Sequence, residues 1–135
     1  MPNCAFCDIV AAGDELVLRT DQVAAFLDRS PVFHGHVLIV PVEHHLTLAD
    51  LPEALMVPLL TAAQRVMRAL GEVVGAEGTF VAMNNVVSQS VPHCHLHVVP
   101  RKRGDGLRGF FWPRHRYGNE EQRIAMREKL RAALA

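Results

Sequence analysis

Neither sign of charge predominates in this 135-residue chain, where fourteen Lys and Arg offset fourteen Asp and Glu. No polyanion-binding surface and no nucleic-acid partner are expected from that balance, although a local site could still hold a small anionic ligand. Long hydrophobic runs are missing as well. The opening MPNCAFCDIV has no basic stretch followed by a long apolar one, and no later stretch reaches the length that crosses a bilayer. The expectation is a cytoplasmic protein with no membrane partner. Cysteine is scarce and odd in number. Three thiols, two of them spaced as Cys4-Ala5-Phe6-Cys7, suit a reducing compartment and a metal clip better than a disulfide framework. Internal repeats and low-complexity tracts are absent too. At this length, with half the residues hydrophobic, one domain with a real core is expected over 1–135.

What is present reads as alternating strands around one long helix. Leu16 to Arg19 and Val23 to Leu27 are short apolar runs separated by Thr20, Asp21 and Gln22, which predicts a hairpin. Val37 to Val40, preceded by Gly35 and stopped by Pro41, is apolar at every position and predicts a central strand covered on both faces. Asp50, with Glu53 three residues on and Pro52 between them, reads as the cap of a long helix. Leu59, Leu60, Ala63, Val66, Met67, Leu70 and Val74 give that helix its three- and four-residue period, and Gly75 supplies a stop. Pro58 predicts a kink or a fresh start. Thr79 to Asn84 and His93 to Val99 read as two further strands joined by the polar loop Asn85 to Pro92, and Glu120 to Leu134 has helical composition. The fold class expected is α+β: a five-stranded antiparallel sheet with one main helix and a C-terminal helix.

The chemistry concentrates in Ser90-Val91-Pro92-His93-Cys94-His95-Leu96-His97-Val98-Val99-Pro100. On a strand, His93, His95 and His97 share one face at spacings of roughly 6 to 7 Å, while Cys94, Leu96 and Val98 share the other. Idle, such a row would be costly to bury, because every ring carries polar nitrogens that need partners. The row suits three readings: half-exposed histidines on a wet face, a three-histidine catalytic zinc with an open position, or histidine catalysis on a phosphate. Neutral imidazole, with an unperturbed pKa of about 6.5, is already a nucleophile near neutrality. Cys4 and Cys7 need two further ligands to close a tetrahedral structural zinc, and two histidines would do so.

The run His93-Cys94-His95-Leu96-His97-Val98-Val99 resembles the signature of the histidine triad (HIT) superfamily. Cys4-Ala5-Phe6-Cys7-Asp8-Ile9-Val10, Ala25-Phe26-Leu27-Asp28, Gly35-His36-Val37-Leu38-Ile39-Val40-Pro41 with His44, and Gln89-Ser90-Val91 occur in the same order as in that family. The similarity thus spans residues 4 to about 103.

The resemblance implies a homodimer acting on a purine nucleotide or nucleotide conjugate. His95 would be the nucleophile, attacking an α-phosphorus to give a nucleotidyl-histidine that water then releases. His97 would contact the phosphate or leaving group and help proton transfer, with His36 behind it. Cys4, Cys7, His44 and His93 would hold a structural zinc, leaving the chemistry independent of any cofactor. Asp28 would accept from the ribose hydroxyls, Phe6, Ile9, Phe26 and Leu27 would line the base pocket, and Asn84, Gln89 and Ser90 would meet the phosphate. Read without the family, Phe26 and Leu27 are core and Asp28 is a turn residue. The loop Asn85-Val86-Val87-Ser88 lacks the glycines of many relatives. Trp112, within Gly109-Phe110-Phe111-Trp112-Pro113-Arg114, resembles the tail with which some dimeric members reach a partner's site, or else clamps the sheet. Arg101, Lys102 and Arg103 read as a solvated basic turn, Cys94 as an inert thiol, and His34, His45 and His115 as surface residues.

Overall fold

A computed structural model of the chain describes residues 3–107 and 114–135. Two compact units divide it, Met1–Asp105 and Gly106–Ala135. The first carries a five-stranded antiparallel sheet formed by β1 (Leu16–Arg19), β2 (Val23–Leu27), β3 (Val37–Pro41), β4 (Gly78–Ala82) and β5 (Leu96–Arg101), in the spatial order β1-β2-β3-β5-β4. The second contains α3 (Glu120–Leu134), capped by Asn119, whose side chain accepts from the Gln122 amide at 2.9 Å. Among the described residues no helix is long and apolar enough to cross a membrane.

Both faces of the central strands are covered, which is why β3 is apolar throughout. Val23, Ala25, Val37, Ile39, Leu96 and Val98 point toward α2 (Met56–Val74) and pack with Leu59, Ala63, Val66 and Leu70. The alternate residues Ala24, Phe26, Leu38 and Val40 pack on the other face with Phe6 and Val10 of α1 (Ala5–Ala12). The two-residue period thus divides each strand between two cores.

Helix α1 has no counterpart in the sequence reading. Its N-cap is Cys4, whose sulfur accepts from the Cys7 amide at 3.4 Å, and its end is Gly13 at φ 80°. A thiol is not among the usual capping side chains, so the start signal was invisible. The cap expected at Asp50 is also corrected. Asp50 closes a 3₁₀ turn over Leu48–Asp50, accepting at one carboxylate oxygen from both the amide and the hydroxyl of Thr47. A second 3₁₀ turn, Glu53–Leu55, follows, and α2 begins at Met56. Pro58 therefore lies in the first turn, where its missing amide hydrogen costs little. Gly75 ends α2 in the left-handed conformation at φ 68°.

The last two strands are shifted from their expected bounds. β4 spans Gly78–Ala82, leaving Asn84 in the following loop, and β5 starts at Leu96 rather than His93 and runs through Pro100 to Arg101. The β3–β5 ladder stops at Ile39↔Leu96. Beyond it Pro41 has no amide hydrogen to offer, and its carbonyl accepts instead from the His93 ring at 2.9 Å. Pro100 lies past the Val37↔Val98 end of that ladder, where β5 pairs with β4 alone, so its missing donor breaks no bond to β3.

Candidate active site

Register aligns one row of side chains across four strands: Leu16 opposite Phe26, Phe26 opposite Leu38, and Leu38 opposite His97. His36 precedes Leu38 by two residues and so shares its face. Phe6 of α1 covers this face, with its ring 5.2 Å from that of Phe26 and 4.9 Å from that of His95. A cleft of about 250 Å³ opens there, lined by Phe6, Ile9, Phe26, Leu27, Asp28 and Ser90 beside His95 and His97.

Hydrogen bonding sets the protons on each ring, since a carbonyl can only accept. His95 donates from Nδ1 to the His93 carbonyl at 2.7 Å, leaving its Nε2 lone pair free. The Val32 amide donates to His36 Nδ1 at 3.1 Å, which puts the His36 proton on Nε2, and that donates to His97 Nδ1 at 2.9 Å. The His97 proton then lies on its own Nε2. His95 and His36 are buried and His97 is half-buried. Burial, aided by the neighbouring His95 and His36, pulls the His97 pKa down to about 4. Burial likewise lowers that of His36, against an opposing pull from Asp28. Both imidazoles are therefore neutral near pH 7.

Asp28 follows β2 directly. One carboxylate oxygen accepts from the Ser30 amide at 2.8 Å, and the other lies 3.6 Å from His36 Nε2. It is both a turn residue and a cleft residue. Asn84 and Gln89 do not line the cleft; they brace the loop between β4 and β5. Asn84 donates to the Ser88 carbonyl at 3.3 Å, and Gln89 donates to the Leu46 carbonyl at 2.7 Å while accepting from the Val86 amide at 2.9 Å. Val86 and Ser88 adopt φ of 70° and 62° in the loop that lacks glycine, a conformation unfavourable to a β-branched side chain. Trp112 lies outside the described residues.

His93 faces away from the cleft. Its Nε2 proton goes to the Pro41 carbonyl, and the bare Nδ1 lies 3.4 Å from Cys4 Sγ and 3.5 Å from Cys7 Sγ. Cys7 Sγ is 3.4 Å from His44 Nδ1, and all four donor atoms lie within 4.8 Å of one another. Tetrahedral zinc with bonds of about 2.3 Å to sulfur and 2.0–2.1 Å to nitrogen has sulfur–nitrogen edges of about 3.6 Å, so two cysteines and two imidazoles, that of His93 with its bare nitrogen turned to the sulfurs, fit that ion. Cys94, in contrast, is fully buried, and burial raises its pKa. Arg101 pairs with Asp105 and Arg103 with Glu77. His34 and His115 are exposed; His45 is half-buried beside Glu43, and its carbonyl accepts from the Cys94 amide at 2.7 Å.

The HIT domain family matches residues 11–104. The chain belongs to that family. Among its HIT relatives, the adenosine 5'-monophosphoramidase hnt1 of Schizosaccharomyces pombe is 32% identical over 124 residues, covering 88% of this chain and 90% of the relative. The asymmetrical bis(5'-nucleosyl)-tetraphosphatase of the same organism is 31% identical over 107 residues. That match covers 78% of this chain but 59% of the longer enzyme. A zinc-bound histidine triad family protein from Mycobacterium smegmatis superposes with a TM-score of 0.73 at 32% identity, covering 97% of both chains.

Proposed function

We propose that this HIT protein is a nucleotide hydrolase or transferase that cleaves at the α-phosphate of nucleotide conjugates through a nucleotidyl-histidine on His95. The substrate is a dinucleoside polyphosphate or a nucleoside phosphoramidate, the classes named for its two S. pombe relatives. One observation carries the reading: His95 Nδ1 is tied to a carbonyl, so the opposite nitrogen offers a lone pair beside a cleft that has an apolar end and a carboxylate. Apolar walls suit a base, and Asp28 suits the paired ribose hydroxyls.

In the first step a bond forms from His95 Nε2 to phosphorus. The phosphorus–oxygen or phosphorus–nitrogen bond breaks, and the leaving group departs with the electron pair and is protonated by solvent. His97, neutral and carrying its proton on Nε2, donates a hydrogen bond to the phosphate oxygens, and His36 holds that tautomer in place. Ser90 donates from its hydroxyl, whereas Asn84 and Gln89 act through the loop they brace. Water then attacks phosphorus and frees His95 and the nucleoside monophosphate. Cys4, Cys7, His44 and His93 hold a structural zinc that fastens α1 to the end of β3 and takes no part in bond breaking. The proposal includes a homodimer and excludes nucleic acid and membrane as partners. Exposed Val57, Leu60 and Val81 give apolar surface for a second copy, and sedimentation as a monomer would remove that part.

Two hydrogen bonds weigh against a catalytic zinc on His93, His95 and His97. The bare nitrogen of His93 faces the thiols, and Nδ1 of His97 already accepts from His36. Quenching a reaction with an adenosine phosphoramidate and digesting the protein tests the scheme. Adenylate attached at His95 is expected. No adduct, with solvent oxygen delivered to phosphorus by a single inversion, would overturn it.

A further inference from the structure

We propose that Glu15 and Arg29 are a base-reading pair that makes this site prefer guanine nucleotides, an inference that rests on the nucleotide reading above. The row from Leu16 through Phe26 and Leu38 to His97 crosses three strand spacings, about 14 Å at roughly 4.8 Å each. With the phosphate at the His97 end, the base lies toward β1. Ala5, Phe6, Ile9, Phe26 and Leu38 line that part of the cleft and have no side-chain group that could read a base edge.

Glu15 and Arg29 line the same cleft and do have such groups. Glu15 stands immediately before β1, and Arg29 follows Asp28, the carboxylate assigned to the ribose. Their charged ends are 4.0 Å apart, and the side chains are 57% and 79% exposed. An ion pair that long and that wet contributes little to folding, so both groups are free to turn to a ligand.

Guanine matches the pair on two adjacent edges. Its O6 and N7 accept both arms of a guanidinium, and its N1–H and 2-amino group donate to the two oxygens of a carboxylate. Adenine offers the guanidinium one acceptor at N7 and the carboxylate one donor group at N6. The guanine complex therefore gains two hydrogen bonds that the adenine complex cannot form.

Calorimetric titration of the zinc-loaded full chain with GMP and with AMP tests this. Wild type is expected to bind GMP about tenfold more tightly, and Arg29→Ala and Glu15→Gln should each shrink that ratio toward one. The exchange Glu15→Arg with Arg29→Glu keeps an ion pair at the rim but reverses its sense, so the preference should vanish. Equal affinities in wild type, an unchanged ratio in the single variants, or a preference that survives the exchange would each overturn the assignment. Failure of wild type to bind either nucleotide would instead sink the nucleotide reading itself.

Discussion

His95 donates from Nδ1 to the backbone carbonyl of His93 at 2.7 Å, so a residue assigned to the metal cluster orients the proposed nucleophile with its main chain. Replacing His95 with Asn removes the free Nε2 and leaves the fold intact. Turnover is expected to fall by a factor of about 10³ or more, while zinc content and nucleotide affinity stay near wild type. Steady-state kinetics with elemental analysis checks this. Sustained turnover would remove His95 as nucleophile.

The Cys4→Ser, Cys7→Ser double variant should lose stoichiometric zinc and unfold at a lower temperature, because the ion would cross-link α1 to His44 and His93. Metal analysis and a melting curve measure both effects. Full activity with one zinc still bound would favour a catalytic metal instead.

Acid should destabilise the protein through the imidazoles behind the cleft. An unfolded His97 takes up its proton near 6.5 and the folded one near 4. Between those values the unfolded state binds more protons, so stability falls as pH falls through that window and is unaffected by this group above it. His36 shifts in the same direction. Melting temperatures recorded from pH 7.5 to 4 should decline below about 6.5, and His97→Gln should flatten the decline. Comparing the two proteins cancels the acid sensitivity of the zinc ligands. Parallel curves would show that His97 is not responsible.

Gly35→Ala tests the entry to β3. Gly35 sits at φ 101°, and a Cβ there would lie 3.1 Å from Leu70 Cδ2. Because the backbone strain persists even if Leu70 moves, a loss of about 1–3 kcal/mol is expected in urea unfolding. A loss within about 0.5 kcal/mol would mean that the turn relaxes without cost.

Most of the fold was legible wherever apolar spacing was strict. Val37 to Val40, Val23 to Leu27 and the stripe from Leu59 to Val74 each fall within the element they predicted. Two of the failures depend on a partner distant in sequence, whereas the misplaced cap at Asp50 turns on its near neighbour Thr47. Helix α1 is capped by a thiol that also belongs to the cluster with His93, and β5 begins three residues late because Pro41 ends the ladder. Alternation still separates the histidines from Leu96 and Val98, although His93 and His95 lie before the strand.

Residue order alone determined which side chains are candidates for chemistry: four ligand-type residues at recognisable spacings, three alternating histidines, and an aspartate closing a strand. It could do so because the two-residue period and the family pattern are both local. Tertiary structure decided which ring nitrogen is bare on each histidine and whether Asn84 and Gln89 line the cleft or brace a loop. It also brought Glu15 to face Arg29. Those outcomes depend on a carbonyl, an amide or a neighbouring strand supplied from elsewhere in the chain, and a linear pattern holds no record of such distances.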